Sequence, residues 1–161
     1  MMNFIWKVSF LSVLFATEAV ASSNACDRNI AALKIDVALD KTIAAAHESV
    51  GVTVMVANTG RDTLHLPSFM ELESYWLRFE VVNEKNQRVR WLGPEVKIVA
   101  RDDKVSLEQG YQWGRKFRDF ERRYDISKAG TYRIRAIYGI SPEGHCHFGR
   151  VVSKVVNLRI R

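Results

Sequence analysis

Residues 124–138 have the sequence YDISKAGTYRIRAIY, and the second half of this stretch decides the fold class. From Thr131 onward, large apolar side chains alternate with two arginines, Arg133 and Arg135. A period of two is typical of a β-strand with one buried face, whereas an amphipathic helix repeats every three to four residues. The stretch therefore predicts a strand that contributes Tyr132 and Ile134 to a core and both arginines to an outer surface.

The same alternation recurs along the chain, with turn residues between its segments. The segments are 32–38, 50–57, 75–82, 88–92, 105–107, 111–117, 131–138 and 151–160. The turn Asn83-Glu84-Lys85-Asn86 predicts that residues 88–92 return as the second strand of a hairpin, and residues 44–46 are expected to form an irregular crossing. Short strands at this spacing predict an all-β fold, a single antiparallel sandwich of about seven to nine strands.

The first half of the opening stretch, from Tyr124 to Tyr132, is a short polar turn that ends in Gly130 before the strand begins. It resembles the tyrosine corner of immunoglobulin-like sandwiches, in which the phenol bonds to the backbone a few residues upstream. A buried tyrosine needs such a partner because an unsatisfied hydroxyl is costly. This resemblance implies an immunoglobulin-like sandwich.

Three segments carry a wider resemblance: VTVMVANTG at 52–60, FEVVNEKNQRV at 79–89 and YDISKAGTY at 124–132. Together they resemble the N-terminal β-domain of deuterolysin-like zinc endopeptidases and bacterial proteinase-inhibitor-type domains. The zinc motif of those peptidases lies in a separate catalytic domain, which is not expected here. His47-Glu48 resembles the start of an HExxH motif, but Gly51 replaces the second histidine, so no metal site is expected there. Relative to the family pattern, the register shifts near Trp113, which predicts a bulge at Gly114.

The N-terminus has the pattern of a cleavable signal peptide over residues 1–21. The apolar run 8–15 is followed by Ala19-Val20-Ala21, the small residues that signal peptidase requires. Glu18 interrupts the apolar run well short of the roughly 20 residues needed to cross a bilayer. We therefore expect residues 22–161 to form one periplasmic or secreted domain with no membrane span, and the net charge of +6 is compatible with simple solubility.

Cys26 and Cys146 form an even pair outside the reducing cytoplasm, which predicts a disulfide between them. The neighbouring His145 and His147 would share one face of a strand and could hold Zn or Cu, with a third ligand from His47, His65, Met55 or Met70. An exposed turn beside a structural disulfide is the favoured interpretation of the histidine pair. No cofactor is therefore expected, and a periplasmic metal-binding protein is kept as an alternative.

Arginines also alternate along the last strand. If this strand pairs with 131–138, then Arg133, Arg135, Arg159 and Arg161 share one outer surface, which Arg88 and Arg90 extend if their strand lies alongside. Such a surface suits an acidic protein, an acidic polysaccharide or lipid headgroups, and solubility is the simpler explanation. The basic stretch 115–123 is diluted by acidic residues, so we expect local ion pairs there and no nucleic-acid partner.

No residue set supports a named reaction, so no enzyme is expected. The leading hypothesis is an exported non-enzymatic binding or accessory module whose partner is another exported or envelope protein. A secreted peptidase inhibitor is the alternative, with a candidate loop formed by Leu66, Pro67, Ser68, Phe69 and Met70. Trp76 is the tryptophan whose strand phase directs it outward, as a candidate binding aromatic.

Overall fold

The strands of the computed structural model follow the alternating segments of the sequence. The structure describes residues 31–68, 70–74, 76–94, 104–140 and 149–161. Its strands are β1 (Leu33–Leu39), β2 (Ile43–Ala44), β3 (Val52–Asn58), β4 (Leu64–Pro67), β5 (Leu77–Val82), β6 (Lys104–Leu107), β7 (Gln112–Phe117), β8 (Gly130–Ile140), β9 (Gly149–Val152) and β10 (Val156–Ile160). A 3-10 turn, Phe120–Arg122, lies between β7 and β8. The predicted all-β class is confirmed.

The strands form three sheets in the described part of the chain. One sheet has the order β1-β3-β7, and a five-stranded sheet has the order β2-β10-β8-β5, with β9 also paired to β8. Strands β4 and β6 form a two-stranded ribbon. Neighbouring strands are antiparallel except β2 and β10, which run parallel. Strand β8 is thus the central element, with β5 on one side and both β9 and β10 on the other.

The two larger sheets bury the apolar side chains of alternate residues in a common core. In β3 these are Val52, Val54 and Val56, and each of them is fully buried. Phe79 of β5 meets Phe117 of β7 edge to face, with ring centroids 6.2 Å apart, so aromatic packing joins the two sheets. Burying one such side chain stabilises a fold by about 1.5–3 kcal/mol, and this core holds the sandwich-like arrangement together.

Three tyrosine hydroxyls inside the fold are bonded to protein oxygens. The Tyr132 hydroxyl donates to the Lys128 carbonyl at 2.8 Å, which is the backbone bond predicted for it. The Tyr138 hydroxyl donates to the Pro67 carbonyl at 3.0 Å, and that of Tyr124 donates to Glu73. Burial raises the pKa of each of these tyrosines, most strongly at Tyr124 and Tyr138, and the charge of Glu73 raises that of Tyr124 further.

The predicted return strand at 88–92 is wrong. After the turn, Val89 N–H donates to the Val81 carbonyl at 2.8 Å, but the pairing then leaves β5. Leu92 N–H donates instead to Arg123, and Trp91 bridges Tyr124, on which its ring packs at 5.1 Å. The segment therefore runs to the turn before β8, where Trp91 packs on Tyr124.

The bulge predicted at Gly114 is also absent. The pairing of β7 with β3 is continuous, with Met55 opposite Gly114. A Cβ at Gly114 would lie 2.2 Å from the Val54 carbonyl oxygen, so glycine is needed here for a close backbone approach. Residues 44–46, predicted to be irregular, contribute Ala44 to the short strand β2.

Several predictions concern residues outside those described. The signal peptide over residues 1–21 and the disulfide between Cys26 and Cys146 are among them, as are His145 and His147. In the part of the chain that the structure describes, no helix is long and apolar enough to cross a membrane.

Candidate functional site

The outer surface of the five-stranded sheet brings predicted arginines together. Strand β8 pairs with β10 as predicted, with Arg133 opposite Asn157 and Thr131 opposite Arg159. Because paired residues share a face, Arg133, Arg135 and Arg159 all project from the side opposite the core. Arg161, just beyond β10, is exposed, and its backbone N–H donates to Ala44 at 3.0 Å.

Two further arginines extend this surface toward β5. Arg78 of β5 lies opposite Ile137 of β8, and Arg88 forms an isolated bridge with Val82. Arg90, which was expected to join them, instead approaches Asp125 at 3.8 Å. We call the outward set the arginine face, and its members are Arg78, Arg88, Arg133, Arg135 and Arg159.

A cleft of about 280 Å³ opens in the middle of the arginine face. It is lined by Glu80, Val82, Asn86, Arg133, Ile134, Arg135 and Val155. Strand β8 supplies its floor, the β5 hairpin supplies one wall, and the segment between β9 and β10 supplies the other. Its volume lies at the lower end of the range of small-molecule pockets, about 300–1,000 Å³, and it has room for one or two side chains of a larger ligand.

The wall formed by Val155 exists because the last strand is interrupted by a β-bulge. Ile134 pairs with Val156 and Ile137 with Val152. The interval between these two pairs is three residues along β8 but four residues along the β9–β10 segment, so that segment contains one extra residue. The Ser153 hydroxyl accepts the Ala136 N–H at 2.9 Å in place of a backbone carbonyl. The extra residue turns Val155 outward, where it is 50% exposed. The only signal in the sequence is the polar pair Ser153-Lys154 between two apolar runs.

The charges in and around the cleft are unequally compensated. Arg135 is paired with Glu80, and its Nε lies 2.6 Å from the glutamate Oε2. The Glu84 carboxylate accepts a hydrogen bond from the Thr131 backbone N–H at 2.7 Å. Arg133 and Arg159 form no ion pair with any carboxylate among the described residues. The surface therefore presents positive charge that is available to a ligand.

The candidate inhibitor loop is closely attached to the core. Leu66 and Met70 are 3% and 2% exposed, and the Pro67 carbonyl accepts the Tyr138 hydroxyl. Ser68 is half-buried, and Phe69 lies outside the described residues. Two of the side chains that would have to enter a peptidase cleft therefore pack inside this domain.

The other candidates of the sequence occupy separate places. Trp76 is half-buried and packs against the core. The His65 ring contacts the Ser106 hydroxyl at 3.1 Å, and Glu48, beside His47, bonds Lys41 at 2.7 Å. No group of three or more potential metal-ligating His, Cys, Asp or Glu residues occurs among the described residues.

The basic stretch 115–123 forms the local ion pairs that were expected. Arg115 pairs with Glu71, and Lys116 lies 3.8 Å from a carboxylate oxygen of Asp40. These contacts compensate part of the positive charge of this stretch, unlike that of Arg133 and Arg159.

Comparison with known proteins gives weak likenesses only. No family model and no curated protein matches the chain. Among solved structures, it is similar to Northeast Structural Genomics Consortium target SoR45 at 12% identity, covering 80% of this chain and 87% of that one, with a TM-score of 0.45. It is also similar to the sporulation control protein Spo0M of Bacillus subtilis at 11% identity, covering 81% of this chain and 49% of that one, with a TM-score of 0.40. A β-glucosidase from Erythrobacter marinus matches at 15% identity over 76% of this chain and 15% of its own, with a TM-score of 0.37. The chain thus spans about half of Spo0M and a small part of the glucosidase.

Proposed function

We propose that this protein is an exported, non-enzymatic binding module that docks an acidic segment of another exported or envelope protein on its arginine face. The observation that carries the proposal is the pair Arg133 and Arg159, on adjacent strands and without ion pairs in the described chain. Guanidinium groups bind carboxylates in a planar, two-pronged geometry, which suits recognition of Asp and Glu side chains.

Three further features support the proposal. The signal-peptide pattern over residues 1–21 favours export to the periplasm or beyond. The Tyr132–Lys128 hydrogen bond favours an immunoglobulin-like sandwich, a fold that serves many binding functions. Exposed valines beside the arginines, Val152 and Val155, offer apolar contact to the same partner. The peptidase-inhibitor alternative is not favoured, since Leu66 and Met70 are buried.

The binding test uses fluorescently labelled poly-L-glutamate as the acidic probe, followed by anisotropy. We expect the double variant R133S/R159S of the exported protein to bind about tenfold more weakly, a loss of about 1.4 kcal/mol. The matched control is R118S/R123S, which removes the same charge at two exposed arginines of the β7–β8 connection. The control should bind nearly as well as the unaltered protein, because its arginines lie outside the face.

Two outcomes would overturn this proposal. Equal losses in both double variants would mean that binding follows net charge alone. Dextran sulfate serves as the polysaccharide probe. If dextran sulfate binding depends on Arg133 and Arg159 while poly-L-glutamate binding does not, the partner is an acidic polysaccharide.

Export and the disulfide are tested on the same purified protein by intact mass spectrometry with and without reduction. The expected chain starts at Ser22, with Cys26 and Cys146 joined until reductant is added. A chain that retains residues 1–21, or carries a bound Zn or Cu ion, would contradict this part of the proposal.

A further inference from the structure

The cleft in the arginine face holds two arginines and one glutamate, and only one of the arginines is neutralised. Glu80 lies against the guanidinium of Arg135, while Arg133 has no carboxylate partner in the described chain. The cleft therefore has an excess of one positive charge. A ligand that carries one negative charge brings it to neutrality, and Glu80 repels a doubly charged ligand about twice as strongly as a singly charged one.

The walls of the cleft are apolar on both sides of Arg133. Val82 opposes Arg133 across the β5–β8 pair, and Val155 is turned outward by the bulge. Asn86, at the tip of the β5 hairpin, also lines the cleft, and its φ of 60° places it in a left-handed turn. An acidic side chain of a partner, next in the partner's sequence to an apolar residue, would contact Arg133 and the apolar walls at the same time.

The Glu80–Arg135 pair contributes little to stability. Its two side chains are 24% and 43% exposed, and partly exposed pairs of this kind are weak because water competes for both charges. Its effect on the charge of the cleft is larger, because Glu80 is the only acidic residue among the described residues that line it. This makes Glu80 a candidate specificity residue.

Building on the proposed function, we infer that the cleft is a subsite for a single Asp or Glu side chain of an extended acidic segment. In this subsite Arg133 binds the carboxylate, and Glu80 reduces the advantage that a phosphomonoester would gain from its second charge. A phosphorylated side chain carries about −1.5 to −2 charges at neutral pH. Glu80 therefore repels it up to about twice as strongly as it repels a carboxylate.

The experiment titrates isotope-labelled protein with short blocked peptides and follows the reaction by NMR. The peptides share a Val-X-Val centre, in which X is Glu, Gln or phosphoserine. We expect the Glu peptide to bind about tenfold more tightly than the Gln peptide, a difference of about 1.4 kcal/mol. Its largest shifts should be at Arg133, Arg135 and Val155.

The variant Glu80→Gln tests the discrimination directly. It keeps the shape of the side chain and frees the charge of Arg135, so the phosphoserine peptide should gain more affinity than the Glu peptide. Arg133→Ser should abolish the preference for Glu over Gln. Arg159→Ser is the matched control and should preserve that preference, since Arg159 lies outside the cleft.

The results separate this inference from the proposed function. If poly-L-glutamate binding depends on Arg133 and Arg159 but Glu and Gln peptides bind alike, the arginine face binds acidic segments as proposed. The cleft is then not a subsite for a single carboxylate. The role assigned to Glu80 is wrong if Glu80→Gln raises the affinity for the phosphoserine peptide no more than that for the Glu peptide. Poly-L-glutamate binding that is indifferent to both arginines would overturn the proposed function itself.

Discussion

At the scale of single residues, Tyr132 anchors the start of β8 by one hydrogen bond. Its ring is buried with 5% exposure, and its hydroxyl reaches back to the Lys128 carbonyl. The bond closes the turn before β8, and Arg133 follows Tyr132 on the opposite face of the strand. The neighbouring residues Tyr132 and Arg133 thus illustrate how one strand supplies both a structural anchor and the arginine that we propose binds a ligand.

Replacing Tyr132 with Phe should lower the free energy of unfolding by about 1 kcal/mol, since the ring still packs and only the hydrogen bond is lost. The measurement is urea unfolding followed by circular dichroism. Tyr111→Phe is the control, because Tyr111 is 63% exposed and its change should stay within about 0.5 kcal/mol. Equal effects in the two variants would mean that the Tyr132 bond adds no stability.

Gly114 is a second residue whose role is steric. Gly114→Ala places a Cβ 2.2 Å from the Val54 carbonyl oxygen, so β3 and β7 must move apart. We expect a loss of about 1–3 kcal/mol in the free energy of unfolding, the usual cost of overpacking. Gln112→Ala, at an exposed position of the same strand, is the control and should be nearly neutral. A neutral Gly114→Ala would show that the two strands separate easily.

At the scale of elements, the bulge between β9 and β10 shapes one wall of the cleft. Ser153 is 6% exposed, and its hydroxyl replaces a backbone carbonyl as hydrogen-bond acceptor where the strand pairing is interrupted. Its hydroxyl accepts the Ala136 N–H and donates to the Lys154 carbonyl at 2.8 Å. The bulge can therefore persist in the middle of a sheet, because the buried N–H opposite it stays bonded.

Replacing Ser153 with Ala should leave the Ala136 N–H unpaired in a fully buried position, at a cost of about 1–3 kcal/mol. Hydrogen exchange of the Ala136 amide should accelerate together with the loss of stability. Ser153→Thr keeps the hydroxyl and should preserve the slow exchange. If Ser153→Ala exchanges as slowly as the unaltered protein, water or a shifted backbone replaces the hydroxyl.

The elements also show which parts of the fold were predictable from the sequence. Alternation predicted β3, β5 and β8 as strands and, for β8, which side is buried, because a period of two determines which side chains share a face. It could not identify where the backbone of residues 88–92 finds partners. That choice depends on the packing of Trp91 against Tyr124, a contact between segments far apart in sequence.

The candidate site was predictable in part, for the same reason. The pairing of β8 with β10 placed Arg133 and Arg159 on one face, as alternation in both strands indicated. The cleft was missed because its walls come from the β5 hairpin and the bulge at Val155. The partner of each charge was missed too, since Glu80 faces Arg135 only once the register of β5 and β8 is known.

At the scale of the whole molecule, the positive charge is unevenly compensated. Arg115 and Lys116 of β7 have acidic neighbours, whereas Arg133 and Arg159 of the five-stranded sheet lack ion pairs within the described chain. Simple solubility would be served equally well by charge on any surface. The concentration of uncompensated arginines beside the cleft is the feature that favours a binding role for this face.

The three buried tyrosines should make the whole fold sensitive to alkali. Burial raises the pKa of Tyr124, Tyr132 and Tyr138 above the ordinary value of 10.0, and nearby Glu73 and Asp125 add to the effect at Tyr124 and Tyr132 respectively. Above that pH the unfolded chain releases phenolic protons that the folded chain retains. The free energy of unfolding should therefore be unaffected by these groups below about pH 10 and should fall above it, by up to about 1.4 kcal/mol per pH unit for each tyrosine.

The measurement follows phenolate absorbance and circular dichroism together as the pH is raised. Ionisation of the three buried tyrosines should coincide with loss of the folded signal, because their hydroxyls are bonded inside the protein. Tyr138→Phe removes one of the three groups, so its free energy of unfolding should fall less steeply with pH than that of the unaltered protein. If these tyrosines ionise while the folded signal persists, solvent reaches them in the native state, and their hydrogen bonds do not hold β8 and the adjoining loops together as described.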